Sequence, residues 1–238
     1  MNCALVRSFG VERLPFDPQR IEERAKEWRT AMSSNRASAA GNKQQALDEL
    51  RQELEPCCKC DIAQERTNLV FGDGDPDAGL MFIGEAPGRQ EDLQGIPFVG
   101  RAGQLLTRII EAIGLTREQV YIGNILKCRP PNNRTPTTQE SATCFPNLER
   151  QIEIIQPSII VTLGNPATKT LLETTQGITR MRGRFVEWRG VQVMPTYHPS
   201  YLLRNPDAKR DVWEDMKKVH ARMRELGLAI GELKSSSR

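Results

Sequence analysis

The sequence predicts an α/β fold in which a mainly parallel sheet is flanked by helices. Short apolar runs alternate with segments of helical periodicity from about residue 80 onward, and several of these runs end in a glycine or proline turn. Repeated strand–helix units of this kind form parallel sheets. Because ligands of such sheets bind where the strands end, we expect the functional residues in the loops that follow the strands.

Length and composition limit the classes of protein to which the chain can belong. It has 238 residues, enough for one core and a short extension, and 33 basic against 30 acidic residues give a net charge of +3. Anion binding must therefore come from local clusters of basic residues. No apolar stretch approaches the roughly 20 residues that span a bilayer, and the N-terminus has no signal-peptide pattern, so we expect a cytoplasmic protein without a membrane partner.

The predicted elements run from an N-terminal extension to a charged last helix. We expect residues 1–42 to be polar, partly helical and flexible, and the main domain to span 43–228 before a tail at 229–238. The main domain begins with a helix from about Lys43. The predicted strands are 80–83, 120–122, 158–163, 185–188 and 191–194, the last two forming a hairpin. Further helices are predicted at 105–113, at 137–155 behind a capping box, from Pro166, and at 207–226.

Four cysteines form the first candidate site. Cys57 and Cys60 are a C-x-x-C pair in a polar stretch, and Cys128 and Cys144 lie 16 positions apart. In a reducing compartment such thiols are more often metal ligands than disulfides. Structural zinc usually binds two compact cysteine pairs, so the wide second pair favours an iron–sulfur cluster, although spacing alone leaves zinc open. The other two cysteines are expected to be spare thiols.

Three loops carry the other candidate residues. The first core strand is followed by 84–92, with the sequence GEAPGRQED, and by a glycine- and proline-framed turn that holds Phe98. Asn124 begins the segment NILKCRPPNNR, and His198 begins HPSYLLRNP. Glycine and proline in the first loop allow a ligand to approach the backbone closely, although such a loop is also common on a solvated surface.

Taken in this order, the loop motifs and the cysteine spacing resemble the iron–sulfur (family 4) uracil-DNA glycosylases. The resemblance extends from about residue 57 to about residue 220. It implies a three-layer α/β/α sandwich around a four-stranded, mainly parallel sheet, and a [4Fe–4S] cluster on Cys57, Cys60, Cys128 and Cys144. It also implies that the protein removes uracil from single- or double-stranded DNA by hydrolysis of the N-glycosidic bond, which leaves an abasic site for base excision repair.

The resemblance assigns roles to residues of the three loops. Phe98 is expected to stack on a flipped uracil, and the Asn124 amide to pair with uracil N3–H and O4 while rejecting cytosine. His198 is expected to donate a hydrogen bond to uracil O2, where negative charge develops as the bond breaks. Ala86 stands where other uracil glycosylases carry an aspartate, and Gly88 is expected to line the base pocket beside it.

The carboxylate that acts on water stays open at this point. Glu85 and Glu91 both lie in the first loop, and either is a candidate to orient water or to stabilise the oxocarbenium-like sugar. Glu91 is alternatively a candidate to exclude the 5-methyl group of thymine.

Two locally basic segments are expected to hold the DNA. Residues 121–134 and 180–189 each carry a net charge of +3, and such clusters neutralise phosphates. A short helix from Pro199 is expected to present backbone amides to a phosphate. Its side chains Tyr201, Leu202 and Leu203 are candidates to wedge into the gap left by the flipped base, although a core leucine at one of these positions is equally expected. The predicted DNA contacts are Arg129, Arg134, Arg182, Arg184, Ser200, Tyr201, Leu202 and Arg204.

Two alternatives to a glycosylase are retained: an iron–sulfur protein that captures uracil-DNA covalently, and a DNA-binding accessory without catalysis. The covalent subgroup carries an extra basic loop that ends in a histidine, and residues 174–184 contain no histidine, which argues against it. We expect a monomer that associates with the nucleoid through DNA. The extension 1–42 is a candidate docking segment for a repair or replication partner.

Overall fold

A computed structural model of the chain describes residues 43–233. The extension expected at 1–42, with the partner-docking role suggested for it, lies outside the described residues. Six strands in the described range form one mixed sheet. They are β1 (Asp73–Gly74), β2 (Leu80–Gly84), β3 (Tyr121–Asn124), β4 (Ile159–Leu163), β5 (Val186–Trp188) and β6 (Val191–Thr196).

The order of strands across the sheet is β1-β3-β2-β4-β6-β5. The four central strands β3, β2, β4 and β6 are parallel to one another, while β1 and β5 pair antiparallel at the two edges. The predicted four-stranded parallel sheet is therefore confirmed as the centre of a larger sheet. The predicted hairpin is also confirmed, and Arg189 and Gly190 at its turn both have positive φ angles.

The helices occupy most of the segments between the strands. They are α1 (Lys43–Leu54), α2 (Ile62–Glu65), α3 (Arg89–Gln94), α4 (Arg101–Ala112), α5 (Thr138–Ile155), α6 (Asn165–Leu171), α7 (Ile178–Met181), α8 (Pro199–Arg204) and α9 (Lys209–Glu225). The capping box that predicts α5 is present, with the Glu140 N–H donating to Thr137 Oγ1 at 3.1 Å and the Thr137 N–H to Glu140 Oε2 at 2.7 Å. Between residues 43 and 233, no helix has the length and apolar character to cross a membrane.

Two hydrophobic cores lie on opposite faces of the sheet. Met81 and Ile83 of β2 belong to one core, together with side chains of α1, α5 and α6. Leu80 and Phe82 belong to the other, with side chains of α4, α8 and α9. Because helices cover β2 on both faces, every residue of the strand is buried, and its sequence is continuously apolar rather than alternating. This arrangement confirms the three-layer α/β/α sandwich.

Helix α3 lies within the glycine-rich first loop, where the sequence predicted no helix. Gly88 precedes it in an extended conformation, and Glu91 and Asp92 lie in its first turn, where carboxylates interact favourably with the helix dipole. Asp92 is buried and accepts a hydrogen bond from the Thr67 N–H at 2.9 Å. The helix turns the chain towards Phe98 and so prepares the site described next.

The first residues of the tail predicted from residue 229 contact the main domain. The Gly231 N–H donates to Gly114 O at 3.1 Å, and His220 Nε2 lies 3.0 Å from Gly231 O. His220 is buried, so this histidine packs within the domain. The packed region therefore extends a few residues beyond the predicted boundary at 228.

Candidate active site

The loops that follow the central strands surround a cleft of about 620 Å³. Strand β3 ends at the cleft with Asn124, β4 with Leu163, and His198 follows two residues after β6. The cleft therefore lies at the carboxyl edge of the parallel sheet, as expected for such folds. It brings together the predicted catalytic and substrate-binding residues Glu85, Ala86, Gly88, Glu91, Phe98, Asn124 and His198.

Gly84 allows Phe98 and Asn124 to meet at the end of β2. A Cβ atom on Gly84 would lie 2.4 Å from Asn124 Oδ1 and 2.5 Å from Phe98 Cζ, so no larger residue fits beneath these two side chains. Gly84 is also the register partner of Asn124 in the parallel pair β2–β3. The ring and the amide can therefore face the same cleft.

Asn124 has an unsatisfied buried acceptor. The residue is 2% exposed, and among the described residues its Oδ1 is the one buried side-chain nitrogen or oxygen without a hydrogen-bond partner. Leaving such an acceptor unpaired costs about 1–3 kcal/mol. An amide that faces a cleft in this state is complementary to a planar ligand with an N–H group beside a carbonyl.

His198 is held as a neutral imidazole with a defined tautomer. Its Nδ1 accepts a hydrogen bond from the Ser200 N–H at 3.1 Å, and Ser200 Oγ lies 2.7 Å from the same nitrogen. Because Nδ1 accepts, Nε2 carries the proton of the neutral ring. Burial lowers the pKa of His198 to about 4, and the nearby Arg204 acts in the same direction. The ring therefore offers an N–H donor near neutral pH, with its centroid 5.7 Å from that of Phe98.

Phe98 has a left-handed backbone conformation that its neighbours stabilise. Its φ angle is 54°, which is rare for a residue with a bulky side chain. Glu91 Oε1 accepts hydrogen bonds from the N–H groups of Val99 (3.0 Å) and Gly100 (2.8 Å), and Arg117 Nη1 donates to Phe98 O at 3.0 Å. Such a conformation costs on the order of 1–3 kcal/mol and persists where the surroundings fix it. Glu91 and Arg117 therefore hold the aromatic ring in place through its backbone.

The two carboxylates of the first loop have different environments. Glu91 is engaged by the two backbone donors that hold the turn after Phe98. Glu85 lies half-buried in the lining of the cleft, and burial raises the pKa of its carboxyl group. A carboxylate with a raised pKa in a cleft is a typical feature of catalytic sites.

The predicted DNA contacts divide into residues at the cleft and residues elsewhere. Those that line the cleft are Arg134, Ser200, Tyr201 and Arg204. Arg134 is also ion-paired with Glu140, Arg129 donates to Asn133 Oδ1 at 2.6 Å, and Arg184 is exposed.

The structure corrects one of these predicted DNA contacts, Leu202. It is 1% exposed and belongs to the core with α4 and α9, so its assignment as a DNA contact is wrong. Positions three apart on a helix share a face, and Pro199 and Leu202 both turn inward. Tyr201, which is 38% exposed at the cleft, is the large hydrophobic side chain of this helix that remains accessible.

Arg182 is engaged within the domain. Its Nη2 lies 2.7 Å from Asp215 Oδ1, and its guanidinium lies 5.3 Å from the centre of the Tyr197 ring. Thr196 Oγ1 donates to the same carboxylate at 2.6 Å. These contacts connect α9 to the segment immediately before His198, so the geometry favours a positioning role for Arg182 rather than the predicted phosphate contact.

The four predicted cysteine ligands line one small cavity, and Cys58 does not. Arg66 Nη1 donates to Cys128 Sγ at 3.1 Å, and burial raises the pKa of the Cys128 thiol to about 11. Lys59 and Lys127 also line the cavity, so three cationic residues adjoin the cysteines. Within residues 43–233, no three histidine, cysteine or acidic side chains are close enough to hold a single metal ion.

Comparison with known proteins matches residues 71–217 to the uracil DNA glycosylase superfamily. A type-4 uracil-DNA glycosylase of Sulfurisphaera tokodaii is 48% identical over 183 residues, which cover 73% of this chain and 83% of the relative. One of Thermotoga maritima is 44% identical over 189 residues, covering 78% and 98%. A type-5 uracil-DNA glycosylase of Pyrobaculum aerophilum is 32% identical over 146 residues, covering 54% and 64%.

Proposed function

This chain belongs to the type-4 uracil-DNA glycosylases of the uracil DNA glycosylase superfamily, and on that premise we propose that its cleft binds a uracil flipped out of DNA. Phe98, Asn124 and His198 then recognise the base and promote cleavage of its N-glycosidic bond, which leaves an abasic site for repair. The observation that carries the assignment is the unsatisfied Asn124 Oδ1, beside an aromatic ring and an imidazole N–H donor.

Recognition of uracil follows from the donors and acceptors of the Asn124 amide. Its Oδ1 accepts from uracil N3–H, and its Nδ2 donates to O4, which satisfies the buried acceptor. Cytosine presents an acceptor and a donor in the opposite order and would leave both groups unpaired. Stacking on Phe98, worth about 1–3 kcal/mol, offsets part of the few kcal/mol that extrusion of the base costs.

Departure of the base depends on His198. As the bond between N1 and the sugar lengthens, negative charge moves onto uracil and accumulates at O2. The Nε2–H of neutral His198, fixed by the Ser200 contacts at Nδ1, donates to O2 and stabilises the transition state more than the ground state. Ala86 has no proton-accepting group, so the mechanism relies on bond dissociation before attack by water.

Of the two carboxylates, Glu85 is the one that we assign to the sugar and water. The Glu91 carboxylate already accepts two backbone hydrogen bonds, so its role is to position the turn that carries Phe98. Its fixed place in the lining of the cleft also suits exclusion of the thymine 5-methyl group. Glu85 is left to orient water or to stabilise the oxocarbenium-like sugar.

Replacing Glu85 by glutamine is expected to lower kcat about 10- to 100-fold with little change in KM, because the charge acts after the base is bound. Glu91→Gln is the matched variant, and it should raise KM as the Phe98 turn loosens. Steady-state excision from a labelled uracil oligonucleotide measures both constants. A normal kcat in Glu85→Gln would contradict the assignment of water positioning to Glu85.

A [4Fe–4S] cluster is proposed for the cavity lined by Cys57, Cys60, Cys128 and Cys144. The donor set fits the group, because the four sulfur ligands adjoin several cationic side chains, of which Arg66 donates to Cys128 Sγ, and positive charge compensates the negative charge of thiolates. When bound, the cluster supplies a cross-link between two distant segments and a redox-active centre. Iron and acid-labile sulfide in the purified protein support the cluster, whereas zinc contradicts it.

Contact with the DNA backbone is proposed for the basic and polar residues around the cleft. Exposed Tyr201 replaces Leu202 as the side chain suited to enter the gap left by the flipped base. Backbone contacts are assigned to Arg129, Arg134, Arg184, Ser200 and Arg204. Binding should weaken steeply as salt rises, because phosphate contacts release counterions.

Incubation with uracil-containing single- and double-stranded oligonucleotides, followed by alkali, tests the function. A glycosylase produces an abasic site that alkali cleaves, and an otherwise identical thymine oligonucleotide stays intact. Binding without cleavage would support the accessory alternative. A protein–DNA adduct that survives denaturing electrophoresis would support covalent capture.

A further inference from the structure

We propose that Lys127 is a positioning residue for uracil recognition, through which the four-cysteine cavity supports the Asn124 amide. The proposal rests on the proposed function of Asn124. Lys127 acts through the backbone of Asn124 and does not itself contact the substrate.

Lys127 is buried with its charged end inside the protein. It is 1% exposed, although lysine is almost never fully buried unless it is paired. Its Nζ donates to Asn124 O at 2.9 Å and to Gln151 Oε1 at 2.5 Å. Both acceptors are neutral, and burial of a charge is costly without strong compensation. A methionine would fill a similar volume without that cost. The ammonium therefore has a role beyond packing, as a donor to Asn124 O as well as a positive charge beside the cysteine cavity.

The position of the Lys127 ammonium is itself fixed by a buried network. Gln151, which is 0% exposed, donates from Nε2 to Tyr121 OH at 3.1 Å and to Phe71 O at 3.0 Å. Its Oε1 is thereby directed at Lys127. Because Tyr121 and Asn124 are the first and last residues of β3, the network holds this strand at both ends.

The same lysine adjoins the cysteine cavity. Lys127 lines that cavity and immediately precedes Cys128, while Cys144 lies on α5, the helix that carries Gln151. The lysine is therefore tied to one cysteine segment through the chain and to the other through Gln151. A shift of either segment would displace the Asn124 backbone, and a misplacement of about 1 Å in an active site can cost 100-fold in rate.

Lys127→Met in the full chain tests the proposal. The kcat for uracil excision should fall about 10- to 50-fold with KM within about 3-fold, since the variant misplaces Asn124 and leaves the DNA contacts unchanged. Iron and sulfide content should stay close to that of the unmodified protein, because Arg66 and Lys59 keep positive charge at the cysteine cavity. Lys43→Met is the matched control, because it also removes a lysine ammonium that donates to a backbone carbonyl, Ile155 O at 2.9 Å, but outside the residues that line the cleft, and it should excise uracil normally.

A double-mutant cycle distinguishes positioning from general stabilisation. If Lys127 acts through Asn124, Lys127→Met should cost less than about 3-fold in an Asn124→Ala background. An equal cost in both backgrounds, or a loss of iron that accounts for the lower kcat, would overturn the proposal.

Failure of the variant to fold and failure of the proposed function can each be distinguished from failure of this proposal. If Lys127→Met does not fold, Gln151→Met replaces it, and its smaller loss should likewise vanish in the Asn124→Ala background. A loss that persists there contradicts the positioning role. Failure of the unmodified protein to excise uracil, or full activity of Asn124→Ala alone, would instead contradict the proposed function.

Discussion

Replacing His198 by alanine is expected to lower the rate constant for uracil excision by about 10²- to 10³-fold, while the affinity for uracil-containing DNA changes only a few-fold. In the proposed mechanism the Nε2–H group faces charge that is nearly absent in the bound substrate and develops as the base departs, so its removal affects the transition state most. Single-turnover excision and equilibrium binding, measured on one oligonucleotide, separate the two quantities. His220→Gln is the control, because this histidine does not line the cleft and should leave excision unchanged.

The pH dependence of the same pair provides a second test. Burial holds the pKa of His198 at about 4, so the rate advantage of the unmodified protein over His198→Ala should be constant between about pH 5.5 and 8. An imidazolium acting as the donor would lose its advantage as pH rises through about 6.5.

The stability of the protein should also depend on pH through His198. The unfolded histidine takes up a proton near pH 6.5, and the folded one only near pH 4. The stability contributed by neutral His198 should therefore decline as pH falls through this interval.

Replacing Asn124 by alanine should abolish most excision, by about 10²- to 10³-fold, without destabilising the protein. The variant loses both hydrogen bonds to uracil, and it also removes the buried acceptor that has no partner in the free protein. We therefore expect a free energy of unfolding that is unchanged or higher by up to about 1 kcal/mol. Excision kinetics and thermal unfolding of one preparation measure the two effects.

The matched control for Asn124→Ala is Asn68→Ala. Asn68 Nδ2 donates to Asp92 O at 2.8 Å, outside the residues that line the cleft, so this variant should lose a little stability and keep its excision rate. An Asn124→Ala variant that is destabilised but still excises uracil would contradict the role of the amide in binding the base.

The core of the fold could be predicted because central strands covered on both faces have continuous apolar sequences. Strand β2 is buried at every position, and the capping box at Thr137 marks the beginning of α5. Strand β1 has only two residues, and α3 lies among glycine and proline, so neither has a periodicity that a sequence pattern could reveal.

The residues that line the cleft could be predicted better than those that hold them in place. Asn124 ends a strand and His198 closely follows one, where the fold class places functional groups. Arg117 contacts the backbone of Phe98 from 19 positions away, and Lys127 needs Gln151 to be positioned, so no local pattern marks either residue. Which leucine of α8 packs inward could not be predicted, because a helix of six residues is too short for its sequence to indicate the buried face.

The turn at Phe98 bears on how the enzyme searches DNA. Its unfavourable torsion angles are set when the chain folds, so the slot that we propose for the base exists before any nucleic acid arrives. Capture then requires no rearrangement of the protein backbone, and the frequency with which a uracil leaves its helix governs how soon it is trapped. Loosely paired or unpaired uracils are extruded at least cost, so damage in weakened duplex is caught first.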